Sequence, residues 1–188
     1  KSAKTYISGH KFINIAILTS ATLIPIDCLS YYSKTYAKEY KIEFKTEHEL
    51  VQEWITNLPN SHVLTSHLDY KKLLFLLDSG YDVKFIQKSI LDINANFLGC
   101  AKTCRSMGGK QAHKYFSKPS AGKFESIQLN VGAGKKNKKE FSVKTADSIS
   151  LKGVGKINAV CSKMKRRNSK RMSKKKYLIC SDLNIKGN

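Results

Sequence analysis

Apolar positions in the first hundred residues switch between two periods. Residues 12–18 and 23–29 are rich in Ile and Leu and are separated by the polar stretch 19–22, which predicts a hairpin of two strands. Pro25 has no amide hydrogen to offer a neighbour, so the second strand is expected at a sheet edge or with a bulge. After a polar, Tyr-rich connector over 31–45, Thr46-Glu47-His48-Glu49 has the spacing of a capping box. In such a box the Thr hydroxyl serves one free amide of a helix start while the Glu reaches back. Leu50, Val51, Trp54, Ile55 and Leu58 then recur at helical spacing, and Pro59-Asn60 stops the pattern.

Leu73-Leu74-Phe75-Leu76-Leu77 is a short unbroken apolar run, the pattern of a fully buried central strand, and it ends at the turn Asp78-Ser79-Gly80. Asp82 is expected to cap a helix with Phe85, Ile86, Ile90 and Ile93 on its apolar face, and residues 96–101 offer another buried strand. The order strand, strand, helix, strand, helix, strand predicts an α/β class. Beyond residue 105 the texture changes to Gly, Lys and Ser. Short alternating pieces over 124–131, 140–143, 148–151, 157–161 and 177–180 predict antiparallel strands of a small basic subdomain. This divides the chain into 1–105 and 106–188. Gly132-Ala133-Gly134-Lys135 and Gly153-Val154-Gly155-Lys156 have neither phosphate-loop spacing nor a following helix, so hairpin turns are expected at both.

With 188 residues, 41% of them hydrophobic, the chain has material for one core and a smaller appendage. No apolar run approaches the roughly 18 residues of a membrane span, and no signal-peptide order is present, so a cytoplasmic location is expected. The first residue is Lys1 rather than Met, which suggests a fragment boundary. The five cysteines are odd in number and scattered, as for free, buried thiols in a reducing interior; Cys100 and Cys104 with His113 lack zinc-finger spacing.

Charge changes the picture most. The formal net charge is +20, yet residues 1–100 hold 11 Lys+Arg against 10 Asp+Glu, whereas 101–188 hold 23 against 4. A one-sided field of this strength attracts a polyanion, and nucleic acid is the expected partner. A membrane surface would need a basic helix with an apolar face, and residues 163–176 offer only Met164 and Met172 for one. That run reads either as a solvated loop or as a DNA contact. Tyr31, Tyr32, Tyr36 and Tyr40, near Lys34, Lys38 and Lys41, either stack bases or pack on a sheet, and packing is commoner.

Asp78, at the carboxyl end of its strand, is placed either to hold a divalent ion or simply to turn the chain. The run Leu74-Phe75-Leu76-Leu77-Asp78-Ser79-Gly80-Tyr81-Asp82, with Asn96-Phe97-Leu98-Gly99-Cys100-Ala101-Lys102 and Arg105 behind it, resembles the second acidic motif of bacterial insertion-sequence transposases of the DDE class. Upstream, Ser8-Gly9-His10-Lys11-Phe12, the strand pair and the Thr46 helix match the stretch such enzymes place between their first and second acids. Lys176-Tyr177-Leu178-Ile179-Cys180-Ser181-Asp182-Leu183 resembles the strand before the helix that bears their third acid. The likeness covers most of 1–110 and is weak over 124–183.

The resemblance implies an incomplete RNase H-like mixed sheet with flanking helices, followed by a basic strand-rich insertion. In the family two Asp and one Glu hold magnesium or manganese, which activates a water or 3′-hydroxyl in DNA cleavage and strand transfer. Asp78 takes the second acid's catalytic and metal-binding role. Lys102 and Arg105 become contacts to the DNA backbone, and the charge runs add Lys135, Lys136, Lys138, Lys139, Lys165, Arg166, Arg167, Lys170, Arg171, Lys174, Lys175 and Lys176. A complete enzyme of this kind would pair as a homodimer on its DNA. Residues 1–8 contain no acid where the family places its first Asp, and only 184–188 follow Leu183 where its Glu would come. The implied function is that of a transposase fragment whose surviving activity is DNA binding. The rival is a small basic nucleic-acid-binding module without catalysis.

Overall fold

A computed structural model describes residues 11–61, 69–130, 138–165 and 172–185. They fall into two compact units, Lys1–Leu58 and Pro59–Asn188.

In the first unit β1 (Lys11–Leu18) and β2 (Leu23–Tyr31) form an antiparallel hairpin. Its register steps from Ile15↔Asp27 to Ala16↔Pro25, so Ile26 is the extra residue of a bulge beside the proline. The short helix α1 (Lys34–Glu39) is capped by Ser33, whose hydroxyl accepts from the Tyr36 amide at 3.2 Å. Helix α2 (Glu47–Asn57) starts at the expected capping box: the Glu49 amide donates to Thr46 Oγ1 at 3.3 Å and the Thr46 amide to Glu49 Oε2 at 2.7 Å. The indole of Trp54 donates to Asp27 Oδ2 at 2.7 Å, tying α2 to the bulged stretch of β2. Ile13, Ala37, Ile55 and Leu58 are buried here.

The second unit is mixed α/β. Its elements in chain order are β3 (Leu74–Leu77), α3 (Lys84–Asp92), β4 (Asn96–Ala101), β5 (Ser106–Met107), β6 (Lys110–Gln111), α4 (Ala112–Ser117), β7 (Glu125–Asn130), β8 (Lys138–Leu151), β9 (Gly155–Met164) and β10 (Lys176–Cys180). The eight strands make one sheet in the order β3-β4-β10-β9-β8-β5-β6, with β7 paired to β8. Among the described residues, only β3 and β4 run parallel. Alternation along the paired strands sends Phe97, Ala101, Tyr177, Ile179, Ile157, Ala159 and Cys161 to one face, where all are buried. Ile86 and Ile90 of α3 are fully buried, α3 packs on β4, and the Phe116 ring of α4 lies 5.9 Å from that of Tyr177.

Several expectations need correcting. The Leu-rich β3 is the terminal strand of this sheet, not a central one, and Leu74 and Leu76 remain 36% and 58% exposed. Only its Phe75 and Leu77 row is in register with the covered positions of β4. Asp82 does not cap α3, whose N-cap is Val83 without a side-chain hydrogen bond. Residues 140–143 and 148–151 belong to one strand, β8, interrupted by a bulge between Ala146 and Ile149. There Ser148 takes φ +51°, and its amide donates to Asn158 Oδ1 at 2.8 Å. The boundary placed at residue 105 falls inside the second unit, where strands from both sides share the sheet. Gly153, at φ +74°, forms the expected β8–β9 turn, while residues 132–135 lie outside the described residues. Cys161 and Cys180 are buried, and burial pushes both thiols up from their ordinary pKa, but Cys28 and Cys104 are exposed. No helix among the described residues is long and apolar enough to cross a membrane.

Candidate nucleic-acid interface

Strand direction decides which charged residues meet. With β3 and β4 parallel, Asp78 and Lys102 follow the same ends of adjacent strands. β10 runs antiparallel to β4 and pairs Tyr177 with Ala101, so Lys174, Lys175 and Lys176 arrive beside the end of β4. β9 finishes alongside, with Ser162 opposite Lys176, and Lys165 follows it. The start of β8 lies next, Phe141 pairing with Met164, and brings Lys138 and Lys139; β7 finishes there too, with Asn130 opposite Lys138. One end of the sheet thus carries Lys102, Lys138, Lys139, Lys165, Lys174, Lys175 and Lys176, together with the acids Asp78, Asp82 and Glu140. Lys135, Lys136, Arg166, Arg167, Lys170 and Arg171 lie outside the described residues.

Asp78 is exposed and starts a single 3-10 turn over Ser79–Tyr81; its Oδ1 accepts from the Ser79 amide and its carbonyl from the Tyr81 amide at 2.9 Å. The turn role is therefore realised, and one carboxylate oxygen serves it. A second acid four residues on is fully engaged. Asp82 is buried; its Oδ2 accepts from the Lys102 amide at 2.8 Å and its Oδ1 from Gln87 Nε2 at 3.0 Å. Arg105 completes this cluster, with Nη2 donating to Gln87 Oε1 at 2.7 Å and Nε 3.6 Å from Asp82 Oδ1, the two side chains being 18% and 1% exposed. Nε itself is buried with no hydrogen-bond partner among the described residues.

Arg105 is consequently not a free phosphate contact: its charge is set against Asp82, and it holds the segment after β4 against α3. Lys102 keeps its side chain exposed while its amide is anchored. Lys165 is also partly committed, donating to Glu140 Oε2 at 2.8 Å; that bond, then one from Ser126, holds the Glu140 carboxyl below its usual range. Lys138, Lys139, Lys174 and Lys176 are exposed. Sequence reasoning overlooked Lys144, which is buried and donates to the carbonyls of Phe116 and Lys118 at 3.1 and 2.9 Å, closing the last turn of α4. Nothing in the local pattern separates it from its solvated neighbours.

The acids do not converge. Asp69 precedes β3 and Asp182 follows β10, which puts both at the opposite end of the sheet from Asp78. Among the described residues no group of three or more His, Cys, Asp or Glu could hold a metal ion. Asp78 therefore has no two further acids beside it among the described residues, and Cys100, Cys104 and His113 do not form such a group.

No family model matches the chain, and no curated protein matches it.

Proposed function

We propose that the chain binds DNA through the lysine-bearing end of its eight-stranded sheet, as a piece of a DDE-type transposase with an RNase H-like core in which Asp78 stands where the second acid would. The observation that carries DNA binding is the register, which brings lysines from 102 to 176 to one end although they are far apart in sequence. The transposase part rests on the resemblance of the Asp78 block, and it is supported by the position of that acid at the carboxyl end of a parallel strand. Without converging acids no cleavage step is assigned to these residues, and binding is the activity proposed. That same lack of convergence favours, as second reading, a basic nucleic-acid-binding module without catalysis.

The test is the salt dependence of binding to a short duplex, followed by fluorescence anisotropy. Each phosphate contact contributes about −0.9 to the slope of log K against log salt. Joint replacement of Lys138, Lys139, Lys174 and Lys176 by Ala should flatten that slope by about 3 to 4. Replacing Lys71, Lys72, Lys152 and Lys156, at the other end of the sheet, should change it much less. Equal effects from the two sets would overturn the assignment. Asp78→Asn separates the two readings: loss of manganese binding on the DNA complex supports the transposase, and unchanged manganese binding supports the module.

A further inference from the structure

The first unit holds a second feature suited to nucleic acid, different in chemistry from the lysine-bearing end. Tyr36 lies in α1, Tyr40 is its C-cap and Tyr32 immediately precedes its N-cap Ser33, and the three recur every four residues. Their rings stack as a ladder: Tyr32 and Tyr36 have centroids 5.4 Å apart and planes 11° apart, and Tyr36 and Tyr40 have centroids 4.3 Å apart and planes 23° apart. Tyr32 and Tyr40 each stack on Tyr36 from the two ends of the helix, and they remain 38% and 57% exposed. Beside the ladder is an open cleft of about 250 Å³ lined by Lys11, Phe12, Ser30, Tyr31, Tyr32 and Tyr36. That is below the roughly 300–1,000 Å³ of sites that bury drug-sized ligands, and the cleft opens to solvent beside the rings.

Lysines flank the rings, with Lys11 in the cleft paired to Glu47. Lys34, Lys38 and Lys41 are exposed, and Glu39 is the one acid within 31–41. Aromatic faces flanked by lysines are how proteins hold unpaired bases, because every base has a π-face and every nucleotide a phosphate. A duplex keeps its bases stacked on each other and cannot use this surface. We infer that the tyrosine ladder of α1 and its cleft form a stacking platform for unpaired bases of single-stranded nucleic acid. The platform does not depend on the duplex contacts proposed above.

The experiment compares a labelled single-stranded dT12, an abasic strand with the same phosphates, an rU12 strand and a 12-base-pair duplex on the whole chain. The wild-type protein should bind dT12 more tightly than the abasic strand, and the difference should persist in high salt, where phosphate contacts are weakened. Tyr40→Ala should weaken dT12 about 5- to 100-fold, with Tyr40→Phe restoring it and abasic and duplex binding unchanged. Because Tyr40 is exposed the substitution spares the fold, which circular dichroism checks. Equal binding of dT12 and the abasic strand, or an unchanged ratio in Tyr40→Ala, overturns the inference; duplex binding reports separately on the lysines. Matching affinities for dT12 and rU12 mean recognition of bases alone, and a preference between them assigns the natural strand.

Discussion

Replacing Asp82 with Ala removes the acceptor of the Lys102 amide and of Gln87 Nε2, and it leaves the Arg105 guanidinium, only 18% exposed, without its counter-charge. Removing one partner of a buried ion pair costs about 3–5 kcal/mol. The 3.6 Å separation of Nε and Oδ1 is longer than a direct hydrogen bond, which puts the loss at the lower end, about 3 kcal/mol. For a urea m-value of about 2 kcal/mol/M, the unfolding midpoint should fall by about 1.5 M. Arg105→Met alone should cost less, because Asp82 keeps its bonds to Lys102 and Gln87. The double variant should then be more stable than the sum of single effects by about 1–2 kcal/mol. A midpoint shift below about 0.3 M for Asp82→Ala, or strict additivity of the two changes, would refute the view that this pair is structural.

Two more outcomes follow from single side chains. Lys144→Met removes the side-chain donor to the Phe116 carbonyl and one of two donors to the Lys118 carbonyl, which keeps the Ala121 amide at 3.3 Å, and should destabilise by about 1–2 kcal/mol in the same assay; a gain in stability would show that burying the ammonium costs more than its bonds return. The amide and hydroxyl of Thr46, in that order of weight, hold the Glu49 carboxyl below its ordinary range. A depressed folded pKa means that the cap's contribution is complete above the ordinary Glu value of about 4.3 and disappears as pH falls through the lower folded value. The Thr46 amide resonance should follow that acidic step, and a midpoint at or above the ordinary value would contradict the capping geometry.

Features set by near neighbours were legible in the sequence. Pro25 announces a bulge because it lacks a donor, and the Thr46–Glu49 box announces a helix start because its partners are three residues apart. What failed depends on distant partners. The run through Leu77 signals a strand but not its place in the order, and that place leaves Leu76 exposed. Asp82 sits where a cap would, but a stronger use comes from an amide twenty residues later. Arg105 looks like a free cation until Asp82 and Gln87 are folded against it. The charge imbalance pointed to an anionic partner; only strand direction shows that Lys138, Lys174 and Asp78 share one end.

The strand β10 also governs when the sheet can form. It lies between β4 and β9, joining Ala101 to Tyr177 on one side and Cys161 to Tyr177 on the other. Of the strands in this sheet it is the last to leave the ribosome, so β3–β4 and the β7–β8–β9 meander must wait with unpaired edges until it arrives. Contacts spanning more than seventy residues close late and slowly, and meanwhile the apolar positions of β4 and β9 are open to other chains. Synthesis that stalls before Lys176 should release an aggregation-prone intermediate, whereas five further residues turn two half-sheets into one.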